Sequence, residues 1–155
     1  MALVEIPDLK TLKEMEGQSL PPGQWLTVTQ EMINDFAQAT QDFQWLHVDA
    51  EKAATHSPFK KTIAHGFMSV ALLSKLLTDV LRVKSATMGI NYGLNKVRFP
   101  AAVLVDSDIR LLVKISTVEA YAERGVKITW QCQVEIKGHG KPACVAEFLS
   151  LMFEP

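Results

Sequence analysis

From His65 to Leu81 the chain reads HGFMSVALLSKLLTDVL, apolar around most of a helical circumference, with Ser69, Ser74 and Lys75 as the main interruptions. A helix of that kind must be covered on nearly every side. It is too short and too interrupted for a comfortable membrane span, so the cover has to be protein. From Met88 onward the pattern turns β-rich and supplies it, with strands expected near Thr87 to Phe99, Ile109 to Ala120, Val126 to Lys137 and Ala143 to Phe153. Turns are expected at Glu123-Arg124-Gly125 and Gly138-His139-Gly140. The order implies an α+β fold, an antiparallel sheet wrapped around a long central helix. Such a sheet leaves an edge and a broad face to cover, which a homodimer with a continuous sheet would satisfy.

The N-terminal half reads helical. Thr29 or Thr27 can cap a short helix whose apolar face is Ile33, Phe36 and Ala37 and which ends before Thr40. Gln41 to Lys61 lacks a clean period and reads as an irregular loop with one short helix around Ala50 to Ala54. Loops of that length inside a domain are functional or disordered, and this one is too aromatic for disorder. At 155 residues without a repeat or linker, the chain is expected to be one domain, 1–155.

Formal net charge is -1, so no overall field draws the protein to nucleic acid or an anionic membrane. The leader MALVEIPDLKTLKEMEG lacks a basic region followed by an apolar one, which points to a cytoplasmic protein. Two cysteines are too few for a zinc site at this spacing. If the last hairpin closes with a two-residue loop, Cys132 faces Glu147 and Cys144 faces Glu135; the offset thiols then read as small buried hydrophobes.

Chemistry concentrates in TQDFQWLHVDAEKA, Thr40 to Ala53, and in the His65-Gly66 pair that opens the apolar helix. Asp42 and His47 are five apart in an irregular segment, where a turn can aim both into one cleft. A carboxylate and an imidazole there can hold and polarise a water. Gly66 at a helix start offers unpaired N–H groups and close approach to an oxyanion. Each feature has a plainer reading: a capping Asp, a packing His, a tight helix start, and a Ser74 that bonds back to its own helix. Trp45 reads as a core anchor, His56 and His139 as surface residues, and Lys60-Lys61 as a solvated pair.

Taken together, their order and spacing resemble the MaoC-like (R)-specific enoyl-CoA hydratases, which have the hot-dog fold. Those proteins carry a Gly-Asp-x-Asn-Pro-(Ile/Leu)-His loop followed by a His-Gly that opens the central helix. Asp42, Leu46, His47 and His65-Gly66 match it, as do Asn91-Tyr92-Gly93 and Arg98-Phe99-Pro100 in the next strand. Gln41, Gln44 and Trp45 replace the Gly, Asn and Pro. Gln44-Trp45 is similar to the subgroup of nodulation protein N. The resemblance implies that Asp42 and His47 activate the water, and that Gly66 polarises the thioester carbonyl. It places Ser74, a helix serine, and Gln44 on the substrate side. It implies reversible hydration of trans-2-enoyl-CoA to (R)-3-hydroxyacyl-CoA by a homodimer, with no metal, no cofactor beyond the coenzyme A of the substrate, no nucleic acid and no membrane.

Three other readings use the same residues. A hot-dog acyl-CoA thioesterase would aim water at the carbonyl carbon. A non-catalytic acyl-thioester binding protein would follow from the changed Gln41, Gln44 and Trp45. A metal hydrolase would use His47, Asp49 and His65.

Overall fold

Alternation of inward apolar and outward polar residues builds the sheet. In the computed structural model the described residues are 3–155; Met1 and Ala2, the start of the expected 1–155 domain and of its leader, lie outside them. Strands β4 (Met88–Arg98), β5 (Asp108–Tyr121), β6 (Gly125–Ile136) and β7 (Cys144–Phe153) pair antiparallel with a short β2 (Leu26–Thr27) in the order β2-β5-β6-β7-β4. Ile109, Leu111, Val113 and Ile115 of β5 and Ile128, Trp130, Cys132 and Val134 of β6 are buried. This is period-two burial against one face. A register shift between Ile115 and Thr117 passes the inward role on to Val118. Trp130, fully buried, donates its Nε1–H to Ser150 Oγ at 2.8 Å. Its indole therefore adds area without stranding a donor, and truncation to Ala would cost about 3–5 kcal/mol.

Across that face lie α5 (Gly66–Ala71) and α6 (Leu73–Thr78), whose Met68, Leu73, Leu76 and Leu77 join the same core cluster as Trp130. The sheet curls around them, the hot-dog arrangement expected above. The expected single helix from His65 to Leu81 is corrected in two ways. Leu72, with ψ -12, departs from regular helix geometry and divides it. The chain also leaves the helix after Thr78, and Leu81 starts β3 (Leu81–Val83), which pairs in parallel with β1 (Val4–Ile6). Leucine serves a buried strand as well as a buried helix, so periodicity alone does not mark that change.

The leader holds β1 and α1 (Leu9–Glu14), the latter capped by Asp8, which accepts from Thr11 N–H at 2.8 Å. The last hairpin differs from the two-residue loop. Residues 137–143 connect β6 to β7, and Cys132 stands opposite Ala146 while Cys144 stands opposite Val134. Both cysteines are free and buried, as expected, in diagonal positions. Diagonal neighbours lie farther apart than a disulfide spans.

Candidate active site

Helix α2 (Gln30–Thr40) sets the site's position. Thr29 caps it, its hydroxyl accepting from Met32 N–H at 3.2 Å, and Ile33 and Ala37 bury its inner face. Gln41 ends it in the left-handed region, φ 61. That conformation is easiest for glycine, the residue that the family resemblance leads one to expect in place of Gln41. The reversal leaves Asp42 exposed and brings the chain into α3 (Trp45–Val48), a helical turn inside the segment expected to be irregular. Next comes α4 (Ala50–His56), in place of the shorter helix expected there.

Asp42, His47 and His65 come together, with a ligating atom of each within 4.8 Å of the others. His47 and His65 are only 7% and 3% exposed, whereas the Asp42 side chain is 52% exposed. The hydrogen bonds fix both tautomers. His47 Nδ1 faces the Ile63 carbonyl at 2.7 Å. A carbonyl only accepts, so Nδ1 carries a proton, and in the neutral ring Nε2 keeps its lone pair. His65 Nε2 faces the Asp42 carbonyl at 3.0 Å, so that nitrogen is the donor. Asp42 Oδ2 lies 3.9 Å from the same nitrogen. Among the described residues, His65 Nδ1 is the one buried side-chain nitrogen or oxygen without a partner. The two imidazoles stack with centroids 3.8 Å apart and planes 24° from parallel, and Phe36 of α2 packs on the outer face of the pair at 4.9 Å from His65.

Metal ligation by this trio fits poorly. Imidazole lone pairs lie in the ring plane, and two nearly parallel, stacked planes do not converge on one ion. Asp49 of the expected metal set stands elsewhere in role, capping α4 by accepting from Lys52 N–H at 3.0 Å.

Gly66, next to His65, lines a groove of about 560 Å³ together with Phe59, Ser69, Phe99 and Lys141. Its Cα faces the Phe99 ring so closely that an added Cβ would meet Cδ2 at 2.8 Å. Gln44 sits beside Asp42, its backbone N–H 3.4 Å from Asp42 Oδ1. Ser74 lies two turns along the helix from Gly66, and its hydroxyl donates to Asn91 Oδ1 of β4 at 3.0 Å. It borders separate cavities beside Leu77, Asn91 and Phe148 and does not touch the Asp42, His47 and His65 group. Trp45 is half-buried under the ammonium of Lys52, 4.9 Å from the ring centroid. His56, Lys60 and Lys61 are exposed; His139 is exposed too, yet it borders the Gly66 groove. Ser69 and Gln30, both at the site, escaped the sequence reading, since a helix serine and a polar residue at a helix start are common for local reasons.

Residues 12–135 match the family described as MaoC like domain. The chain is 50% identical over 131 residues to 3-hydroxyacyl-thioester dehydratase Z of Mycobacterium tuberculosis (strain ATCC 25618 / H37Rv), covering 84% of this chain and 86% of that protein. It is 38% identical over 141 residues to nodulation protein N of Rhizobium leguminosarum bv. viciae, covering 90% of this chain and 88% of that one. Among solved structures, the unliganded R-hydratase PhaJ1 of Pseudomonas aeruginosa aligns with a TM-score of 0.70 at 26% identity, covering 90% of this chain and 83% of that one.

Proposed function

The chain belongs to the MaoC-like domain family, and within it we propose that this hydro-lyase adds water reversibly to trans-2-enoyl-CoA to give (R)-3-hydroxyacyl-CoA, with Asp42 and His47 as the catalytic pair. The observation that carries the reading is the bare Nε2 of His47, kept free because Nδ1–H is committed to the Ile63 carbonyl. A water held between Nε2 and the Asp42 carboxylate gives its oxygen to C3 while a proton passes to the pair. Electron density moves from the double bond onto the thioester oxygen, where Gly66 N–H, at the first position of α5, offers a donor without an intrahelical partner. The proton then returns to C2, so the pair ends as it began and one molecule of water has been added. The reverse course removes water from a 3-hydroxyacyl thioester, the chemistry for which the half-identical relative is named. Neither step calls for a metal or redox cofactor.

Gln44 contributes a long backbone N–H bond to Asp42, and Ser74, bonded to Asn91 and bordering separate cavities, is kept as a substrate contact only for an acyl chain reaching along the helix. The partner is an acyl-CoA thioester. A homodimer follows from β4, an edge strand whose Met88, Ile90, Tyr92 and Leu94 are all exposed; pairing two such edges covers apolar area and unpaired backbone alike. The two free buried thiols suit a reducing, cytoplasmic setting. No helix of the described residues is long and apolar enough to cross a membrane.

The test follows loss of the enoyl absorbance with crotonyl-CoA and longer trans-2-enoyl-CoAs, with chiral analysis of the product. An (R)-3-hydroxyacyl product that disappears in Asp42→Asn and His47→Gln is the expected result. Wild-type hydration by both variants, folded and dimeric, would overturn it. Thiol release from saturated acyl-CoA without hydration would favour a thioesterase.

A further inference from the structure

Gln30 is the first residue of α2, directly after the Thr29 cap. Its side-chain amide spans two chain segments that also meet where Ile63 N–H donates to the Leu46 carbonyl and where His47 Nδ1 faces the Ile63 carbonyl. Nε2 donates to the His47 carbonyl at 2.8 Å and to Asn34 Oδ1 at 3.0 Å. Oε1 accepts the hydroxyl of Thr62 at 2.5 Å. The two ends of the amide are not interchangeable, because a flip would set Oε1 against the His47 carbonyl, oxygen against oxygen.

Thr62 is 2% exposed and precedes Ile63, whose carbonyl holds the His47 ring. The same segment is strapped in place by main-chain bonds. Val105 N–H donates to the Thr62 carbonyl at 2.9 Å, Ala64 N–H to the Val103 carbonyl at 2.8 Å, and Ile63 N–H to the Leu46 carbonyl at 3.1 Å. The segment carrying the acceptor is thus rigid, and Gln30 fastens the main chain of the base to it. His47 is gripped at both ends, by Ile63 at the ring and by Gln30 at its carbonyl.

We propose that Gln30, through its paired bonds to the His47 carbonyl and the Thr62 hydroxyl, is a positioning residue that holds His47 in the tautomer leaving Nε2 free as the base. The proposal rests on His47 being the base of the reaction, although its structural half does not. Misplacement of a catalytic group by about an ångström can cost a hundredfold in rate, and the Gln30 amide, with the Ile63 N–H bond to the Leu46 carbonyl, holds the spacing between base and acceptor.

Four variants separate positioning from mere support. Gln30→Met keeps length and removes all three bonds; Gln30→Glu keeps shape but turns the donor into a second acceptor against a carbonyl. Thr62→Val removes the hydroxyl at constant shape, and Thr62→Ser retains it. Each is assayed for kcat and KM on crotonyl-CoA, for thermal unfolding, and for the His47 tautomer from imidazole nitrogen NMR. The expected result is a kcat lowered about tenfold or more in Gln30→Met and Thr62→Val with KM nearly constant, a larger loss in Gln30→Glu, and recovery in Thr62→Ser. His47 should lose its pure Nδ1–H signature in the first three. An unchanged tautomer accompanied only by a lower unfolding temperature would overturn the proposal. Were the wild type inactive on every enoyl-CoA, the NMR readout would still decide it, so the two failures are distinguishable.

Discussion

The ring of His65 lies against the ring of His47 at 3.8 Å, and the same His65 donates from Nε2 to the main-chain carbonyl of Asp42 at 3.0 Å. One buried residue therefore touches both members of the proposed catalytic pair, packing on the ring of His47 and tethering the main chain of Asp42. The exposed Asp42 side chain is itself lightly held, by a long bond from Gln44 N–H and by His65 Nε2 lying 3.9 Å from Oδ2.

Replacing His65 by Phe keeps the stack on His47 and removes the tether. It also removes the unpartnered Nδ1, a buried acceptor whose loss offsets the lost hydrogen bond. Folded stability should accordingly stay within about 1 kcal/mol of wild type, while hydration falls by about tenfold as Asp42 loses its fixed direction. Denaturant unfolding and the enoyl absorbance assay check the two halves. Full activity in a folded His65→Phe protein would reduce His65 to a packing role.

A methyl group at Gly66 would meet Phe99 Cδ2 at 2.8 Å. The ring is partly exposed, so it can swing rather than force the backbone, and Gly66→Ala should fold. What it should lose is access of the thioester oxygen to the N–H beside it, seen as a fall in kcat/KM of about a hundredfold. Phe99→Ala alone should be mild, and combined with Gly66→Ala it should recover part of the loss, giving a coupling of about 1 kcal/mol in a double-mutant cycle. Strict additivity would show that the ring and the glycine act independently.

Most of the sheet was legible because its strands alternate cleanly and because glycine-bearing turns punctuate them. The grouping of the candidate site was legible where it depends on side chains with distinctive chemistry, since Asp42 and His47 do come together, with His65 beside them. Three things were not. The break at Leu72 and the strand starting at Leu81 use leucines that satisfy helix and sheet equally. The register at Cys132 and Cys144 depends on how many residues the hairpin loop spends, and a single residue changes which side chains face each other. Gln30 acts through the carbonyl of a residue far along the chain, a contact that only tertiary structure creates.

Edge strand β4 makes the assembly testable. Ile90 and Tyr92 are exposed apolar residues on a strand that, among the described residues, has no neighbour on one side. Introducing charge there, as in Ile90→Lys combined with Tyr92→Glu, places ionised groups where a partner strand would bury them. Sedimentation equilibrium should show a dimer for wild type and a monomer for the double variant. A variant that remains dimeric would move the interface to another surface.

Burial pushes the Cys132 thiol up to about 12, the neighbouring Cys144 adding to it, and burial pushes Cys144 up to about 11, both from an ordinary 9.0. Thiolate is the reactive form, so at about pH 8 the native protein should react with an aromatic disulfide reagent far more slowly than the unfolded chain, in which both thiols titrate at once. The same shifts set an alkaline limit on stability. In the unfolded chain the thiols lose their protons as pH rises past 9.0, while the folded state keeps them, so folding becomes less favourable. The stabilising contribution is complete below pH 9.0 and is lost as pH climbs through about 11 and then about 12. Denaturant midpoints taken from about pH 8 to about pH 10.5 should fall more steeply for wild type than for a Cys132→Ala, Cys144→Ala protein, which has no thiol to ionise. Equal slopes would mean that the alkaline limit is set by other groups, and rapid labelling of native thiols would mean that the β6–β7 layer opens to solvent far more readily than its packing implies.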